Sequence, residues 1–233
     1  MTRKRRQSLM FIAPLLLAAF VAHAQDGAKE KFAQARKQNA AQLRQYGWTS
    51  RTELKLRGET KKVKVENVKV ENVRYDANGQ LQKTVVESTS PTQDQVGGPV
   101  KRRIVEKKTE KFKESLEGLG QLAQSYAHMK QNQMQALVQS AEVSRGQGQM
   151  EGTVQIQGSS VVVPGDRVTL WVDPNTYLTR QVKIDSVYQS DPVNLTISYE
   201  SLPQGPTYPA QVDLEYPKKE IQVLVQNSNY QRR

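Results

Sequence analysis

The sequence predicts an α+β fold, one broad antiparallel sheet with helices against its apolar face. Apolar and polar residues alternate in segment after segment from Val161 to Tyr230: in Val193–Glu200 every odd position is apolar and every even one polar, and Ala210–Tyr216 repeats the scheme. Side chains on a strand point to opposite faces in turn, so these segments build a sheet with one dry and one wet face. Antiparallel sheets tolerate that arrangement, whereas parallel sheets are covered on both sides and do not read this way. Helical periodicity appears twice, over 28–46 and from Lys101 onward.

The chain has 233 residues, and its first 24 read as an export signal. Arg3, Lys4, Arg5 and Arg6 form a basic start, Leu9 to Val21 an apolar run, and Ala22-His23-Ala24 a small-x-small cleavage site before Gln25. This places the mature protein in the periplasm, with residues 25–233 as a single domain. No cysteine is present, so neither a disulfide framework nor a lipid-modified cysteine is available, and packing alone must build the core. The net charge is +11, of which the first six residues supply four, leaving +7. Export argues against nucleic acid, so the basic balance points to lipid headgroups or acidic envelope partners.

Phe32, Ala35, Leu43 and Tyr46 recur at helical spacing over 28–46, and Gly47 stops that helix. The next strand places Trp48, Thr52, Leu54 and Leu56 on one face, before a turn at Gly58-Glu59-Thr60. Val63-Lys64-Val65-Glu66-Asn67 is then duplicated as Val68-Lys69-Val70-Glu71-Asn72. Five is odd, so the second copy reverses every facing unless a bulge intervenes near Asn67 or Asn72. Asp76-Ala77-Asn78-Gly79 is a hairpin turn feeding a strand from Leu81 to Val86. Residues 88–99 read as a loop.

From Lys101 the pattern is a long helix or helical pair. Ile104, Lys108, Phe112, Leu116, Leu119, Ala123, Tyr126, Met134, Leu137 and Ala141 keep a spacing near 3.6. Gly118 and Gly120 each disfavour helix by about 1 kcal/mol, which predicts a kink or break there. Gly146-Gln147-Gly148 ends the helical region, and Pro164-Gly165-Asp166 makes a turn within the closing meander. Nine or ten strands at ~4.8 Å make a sheet roughly 45 Å wide, while a helix of ~10 Å covers about two strands. Three helices leave part of the dry face uncovered, so the sheet curls around them or keeps an apolar groove.

Catalysis finds little footing. His128 is the only histidine after residue 24, and no glycine-rich phosphate loop, serine elbow or zinc-helix motif occurs. Asp185 with Asp191, and Glu110 with Glu114, read as solvated charges. The protein is therefore expected to be no enzyme and to need no cofactor.

Residues 168–180, Val-Thr-Leu-Trp-Val-Asp-Pro-Asn-Thr-Tyr-Leu-Thr-Arg, resemble the strand–turn–strand of the LolA superfamily of periplasmic lipoprotein carriers. The order of signal, helix, Trp48 strand, hairpin, helices and meander resembles it too. The charged helix from Lys101 and the Val63–Asn72 duplication have no counterpart there. The resemblance implies a curved antiparallel sheet, an open half-barrel with helices packed on its concave face, and a cavity for acyl chains. The expected ligand-binding residues are Leu54, Leu56, Leu195, Ile197, Tyr199, Val212, Leu214 and Tyr216 on the dry face. Phe112, Leu116 and Leu119 are expected to form a mobile lid. The expected partners are the acyl chain of a lipoprotein or lipid and envelope membrane proteins, with the protein acting as a monomer. An envelope interaction or sensor module on the same fold is the alternative. Trp171 falls on the face opposite Leu170, where it packs under a loop or lines a cavity.

Overall fold

The computed structural model describes residues 15–57, 63–89, 114–123, 125–126 and 131–233. Ten strands form one antiparallel sheet: β1 (Tyr46–Arg57), β2 (Val63–Tyr75), β3 (Leu81–Thr89), β4 (Glu142–Arg145), β5 (Val154–Ser159), β6 (Arg167–Val172), β7 (Thr179–Tyr188), β8 (Asp191–Ser201), β9 (Thr207–Tyr216) and β10 (Ile221–Arg232). Their spatial order is β3-β2-β1-β10-β9-β8-β7-β6-β5-β4, so β3 and β4 are the two edges and the sheet is open. Among the described residues the longer α-helical segments are α1 (Leu15–Leu43), α2 (114–123) and α3 (Gln131–Gln139). Among the described residues no helix is long and apolar enough to cross a membrane.

Cross-strand register turns the sequence alternation into continuous rows. Leu54, Val223, Leu214, Leu195, Ile184, Val168 and Gly158 stand side by side from β1 to β5. One pleat along, Thr52, Val225, Val212, Ile197, Val182, Leu170 and Ile156 make a second row. On β2 the same face turns polar, since Asn67 opposes Leu54 and Lys69 opposes Thr52. The dry face is therefore bounded on one side by the Lys69–Glu71 ion pair at 2.6 Å.

The duplication is accommodated as its odd length requires. Lys55 pairs with Val65 and Leu54 with Asn67, leaving Glu66 as the extra residue of a bulge. Val63 and Val65 then oppose Arg57 and Lys55, just as Val68 and Val70 oppose Glu53 and Arg51, so both copies share one parity. The Asp76–Gly79 hairpin is also present. Asp76 Oδ1 accepts the backbone N–H groups of Asn78 and Gln80, each at 2.9 Å, and Gly79 takes the left-handed φ of 75° that the turn requires.

Four expectations need correction. Tyr46 is the first residue of β1 and no part of α1, which ends at Leu43; in the strand it faces Arg232 of β10. The strand after the hairpin runs to Thr89, past Val86, because β2 is long enough to pair with it that far. The helix does not reach Ala141. It ends at Gln139, and Glu142–Arg145 becomes edge strand β4, with β-branched Val143 opposite Ile156 of β5. Finally, α2 continues through Gly118 and Gly120 without a break. Gly118 serves as a notch: a Cβ there would stand 1.9 Å from Tyr188 Oη. The predicted turn at 58–60, the loop at 90–99 and the helical positions from 101 to 113, with Phe112 among them, lie outside the described residues, as does His128.

Candidate functional site

Ten of the eleven expected site residues fall in one apolar assembly. Leu54, Leu119, Leu195, Ile197, Leu214 and Tyr216 are buried in its core, and Leu56, Leu116, Tyr199 and Val212 pack against it half-exposed. Phe112 is the eleventh. Leu119 is only 1% exposed, so α2 is seated on the dry face through this residue. Leu122 and Ala123 join it on the same helix face. α3 is seated at the end of the first apolar row. There Leu137 Cδ1 and Ser140 Oγ lie 2.6 and 2.9 Å from the point a Gly158 Cβ would occupy, so only glycine fits.

Tyr126, in the helical residues 125–126 beyond α2, is anchored to a carboxylate that sequence reasoning assigned only to a turn. Asp166 is buried, and its Oδ1 accepts the Val161 N–H at 2.6 Å. Its Oδ2 accepts the N–H groups of Val162 at 2.8 Å and Val163 at 2.9 Å, and the Tyr126 hydroxyl at 2.7 Å. The same hydroxyl shares a hydrogen bond with Ser186 Oγ at 2.8 Å. Burial pushes the Tyr126 hydroxyl far above its ordinary range; Ser186 opposes that shift and Asp166 adds to it. A buried carboxylate that accepts four hydrogen bonds, three of them from backbone N–H groups, is a structural clasp.

The 168–180 motif folds as a second clasp. Asp173 Oδ1 accepts the N–H groups of Asn175 at 2.9 Å and Thr176 at 3.0 Å, while Oδ2 pairs with Arg180 Nη2 at 2.9 Å. Burial works to raise the Asp173 carboxyl, but Arg180 and those backbone donors hold it below the usual carboxylate range. Tyr177 adopts a φ of 58° at the turn, and Lys31 of α1 stands 5.8 Å above its ring. Trp171 opposes Gln155 and Gln181, on the polar face of β6 and away from the apolar rows.

α1 is fixed at the other end. Asn39 Nδ2 donates to the Thr207 carbonyl and Asn39 Oδ1 accepts the Thr207 N–H, both at 2.7 Å. Burial raises the nearby Tyr199 hydroxyl, and Arg36 of α1 offsets part of that shift.

Between these anchors the dry face opens. Along the first row exposure climbs from 0% at Val168 through 1% at Ile184, 4% at Leu195 and 6% at Leu214 to half-exposed Val223, and falls back to 9% at Leu54 of β1. In the second row Val212 and its partner Val225 are likewise half-exposed. Leu56, Tyr199, Val212, Val223 and Val225 thus form a half-open apolar strip over β1, β8, β9 and β10.

The opposite face holds a polar depression of about 350 Å³ lined by Lys183, Thr196, Gln211, Asp213 and Glu215 among others. Gln222 Nε2 donates to both Asp213 oxygens there, at 3.0 and 3.1 Å. Asp185 and Asp191 do not act as a pair. The first meets Lys183 at 3.5 Å and the second accepts the Tyr216 hydroxyl at 3.2 Å. Among the described residues no group of three or more His, Cys, Asp or Glu could hold a metal ion.

No protein-family model and no curated protein matches this chain. Solved structures are similar to it at low identity. A DUF1329 family protein from Desulfovibrio piger is 12% identical, with 88% of this chain and 92% of that one covered and a TM-score of 0.40. A LolA superfamily protein from Nitrosomonas europaea is 12% identical, with 84% and 91% covered and a TM-score of 0.33. An outer membrane lipoprotein-sorting protein domain from Vibrio parahaemolyticus is 9% identical, with 88% and 93% covered and a TM-score of 0.39.

Proposed function

We propose that this protein is a non-catalytic periplasmic binder or carrier of an acylated ligand, a lipoprotein or a lipid, whose acyl chain lies on the half-open strip. The observation that carries the reading is the burial gradient. Val223 and Val225 of β10 and Val212 of β9 stay partly in water, while Val168, Ile184 and Leu195 of β6–β8 are buried. Contiguous aliphatic surface left half-wet favours an apolar occupant at about 25 cal/mol per Å². Leu116, half-exposed beside fully buried Leu119, sits on the α2 turn bordering that surface. A sheet concave around these helices, as the resemblance implies, would shape the strip into a groove.

Calorimetry with a long-chain fatty acid and with a lipopeptide tests this. Binding tighter than about 100 μM with a negative heat-capacity change is expected, the mark of apolar burial. Val212→Ala with Val223→Ala should weaken it roughly tenfold, since each truncation removes methyl groups worth about 0.8 kcal/mol when fully covered. If neither ligand binds and the double substitution only lowers stability, the strip is permanent core. The fold then serves as an envelope interaction module.

A further inference from the structure

The end of the sheet where α1 runs into β1 carries an assembly that acyl binding does not use. Trp48 of β1 stacks on Tyr230 of β10, with centroids 5.4 Å apart and planes 13° apart. It also meets Tyr75 of β2 at 5.7 Å, and Tyr230 meets Tyr208 of β9 at 4.1 Å. Four half-buried rings from four adjacent strands therefore lie in a row.

Cations collect at this end of the sheet, on both of its faces. Arg74 stands opposite Gly47, and Arg232 opposite Tyr46. The Arg233 guanidinium lies 2.9–3.3 Å from the point a Gly47 Cβ would occupy, and the Arg233 N–H donates to the Gln45 carbonyl at 2.9 Å. The Arg44 guanidinium lies 3.6–3.8 Å from the corresponding point at Gly79, and its charge acts on the Tyr75 hydroxyl. Lys83, opposite Val73 on β3, adds a fifth cation. All five side chains are exposed. Among the described residues none of the five forms an ion pair, whereas Arg51, Lys55, Lys69, Arg180 and Lys183 do. The carboxylates at this end are already engaged. Asp76 is held by its turn and by Gln82 Nε2 at 3.1 Å, and Glu200 accepts the Tyr208 hydroxyl at 3.2 Å.

Exposed charge alone would suit an acidic protein as well as a lipid surface. The rings beside it favour lipid, because apolar-bodied, polar-tipped Trp and Tyr settle at headgroup level while long cations reach the phosphates. We propose that this end of the sheet docks on a bilayer surface carrying anionic phospholipid, independently of whether an acyl chain occupies the strip.

The test uses the full chain with phosphatidylcholine vesicles, and with vesicles containing about a third phosphatidylglycerol, in a flotation assay. Arg44→Gln with Arg74→Gln should lower the anionic-to-neutral partition ratio about 25-fold, roughly fivefold per arginine. Lys218→Gln with Lys219→Gln makes the same change of net charge in the β9–β10 turn, at the opposite end of β10. It should leave the ratio within about twofold, since surface attraction fades within a Debye length. The basic, apolar first 24 residues are common to all these proteins, so their own affinity for lipid cancels in the comparison. The chain has two tryptophans, so Trp171→Phe leaves Trp48 as the reporter. Its emission should shift to the blue, and acrylamide quenching should fall, on anionic vesicles only. Equal losses in the two double variants, an unchanged ratio in the arginine variant, or a Trp48 emission indifferent to vesicles would each overturn the proposal.

Discussion

Two glycines two residues apart on α2 should respond with opposite sign to the same substitution. Replacing glycine by alanine inside a helix is worth about 1 kcal/mol of stability where nothing obstructs the new methyl group. At Gly120, which is exposed, nothing lies within 4 Å of the Cβ position, so Gly120→Ala should stabilise by about that amount. At Gly118 the new Cβ would stand 1.9 Å from Tyr188 Oη, 2.5 Å from Cζ and 2.7 Å from Cε2. The ring is poorly placed to retreat, because it meets Tyr216 edge-on at 6.0 Å and Tyr216 is wholly buried. Overpacking costs about 1–3 kcal/mol, and so deep an overlap belongs at the upper end; less the helix gain, Gly118→Ala should destabilise by about 2 kcal/mol. Thermal unfolding followed by circular dichroism should show a melting temperature about 4–8 °C lower, against a rise of about 2–4 °C for Gly120→Ala. In a Tyr188→Ala background the obstruction is gone, and Gly118→Ala should become stabilising, a coupling of about 3 kcal/mol. Stabilisation by Gly118→Ala in the native background, or a penalty that survives in Tyr188→Ala, would refute the notch and restore the hinge that the sequence suggests.

The Asp166 clasp makes a second prediction. Asparagine keeps the shape but must turn an N–H toward at least one of the four donors, and every remaining bond loses its charge. Asp166→Asn should cost about 3 kcal/mol or more in urea unfolding, and a loss under about 1 kcal/mol would mean Tyr126 is held by its apolar contacts alone. The third prediction concerns alkaline pH. The Tyr126 hydroxyl titrates far above its unfolded value near 10, so the stability it contributes is intact below that pH and is lost above it, at about 1.4 kcal/mol per pH unit. Tyr126→Phe should flatten this fall between about pH 10 and 11.5, leaving the shares of Tyr75, Tyr199, Tyr208, Tyr216 and Tyr230, which are also raised chiefly by burial. Parallel pH profiles for the two proteins would show that Tyr126 is already ionised or solvent-open in the folded state.

Legibility followed the range of the interaction. Alternation gave the strands of the meander and their facing, because the period of two belongs to each strand alone; parity puts Leu195 and Leu214 on one face, and the register of β8 with β9 makes them direct partners. The bulge at Glu66 was legible from arithmetic on the repeat. What the sequence hid were contacts between distant elements. Gly118 carries a local signal for a helix break, and only Tyr188, seventy positions later, converts it into a notch. Asp166 sits in a Pro-Gly-Asp turn signal, and its burial depends on Tyr126, forty positions earlier. Strand β4 was hidden because four residues after a helix show too little of a period of two. Among the expected site residues, those on β1, β8 and β9 owe their place on the dry face to alternation. The half-exposure of Val223 and Val225 is not legible there, because it depends on what distant elements pack across them.

The pairing of β1 with β10 also constrains how the molecule is made. Leu54 waits for Val223, 169 positions later (223 less 54), and the last strand of the chain is the fourth in the sheet. The hairpins from β5 to β9 join neighbours in sequence and can zip as they emerge, but β1–β3 have no sheet to join until the final dozen residues are present. The closing step is the most non-local contact in the fold, and it carries the largest loop-closure cost of any strand pair. A chain still being synthesised, or threaded through a pore, is thus kept from completing its sheet by its own topology. Its apolar rows are joined as one sheet only once β10 is present to bridge β1 and β9.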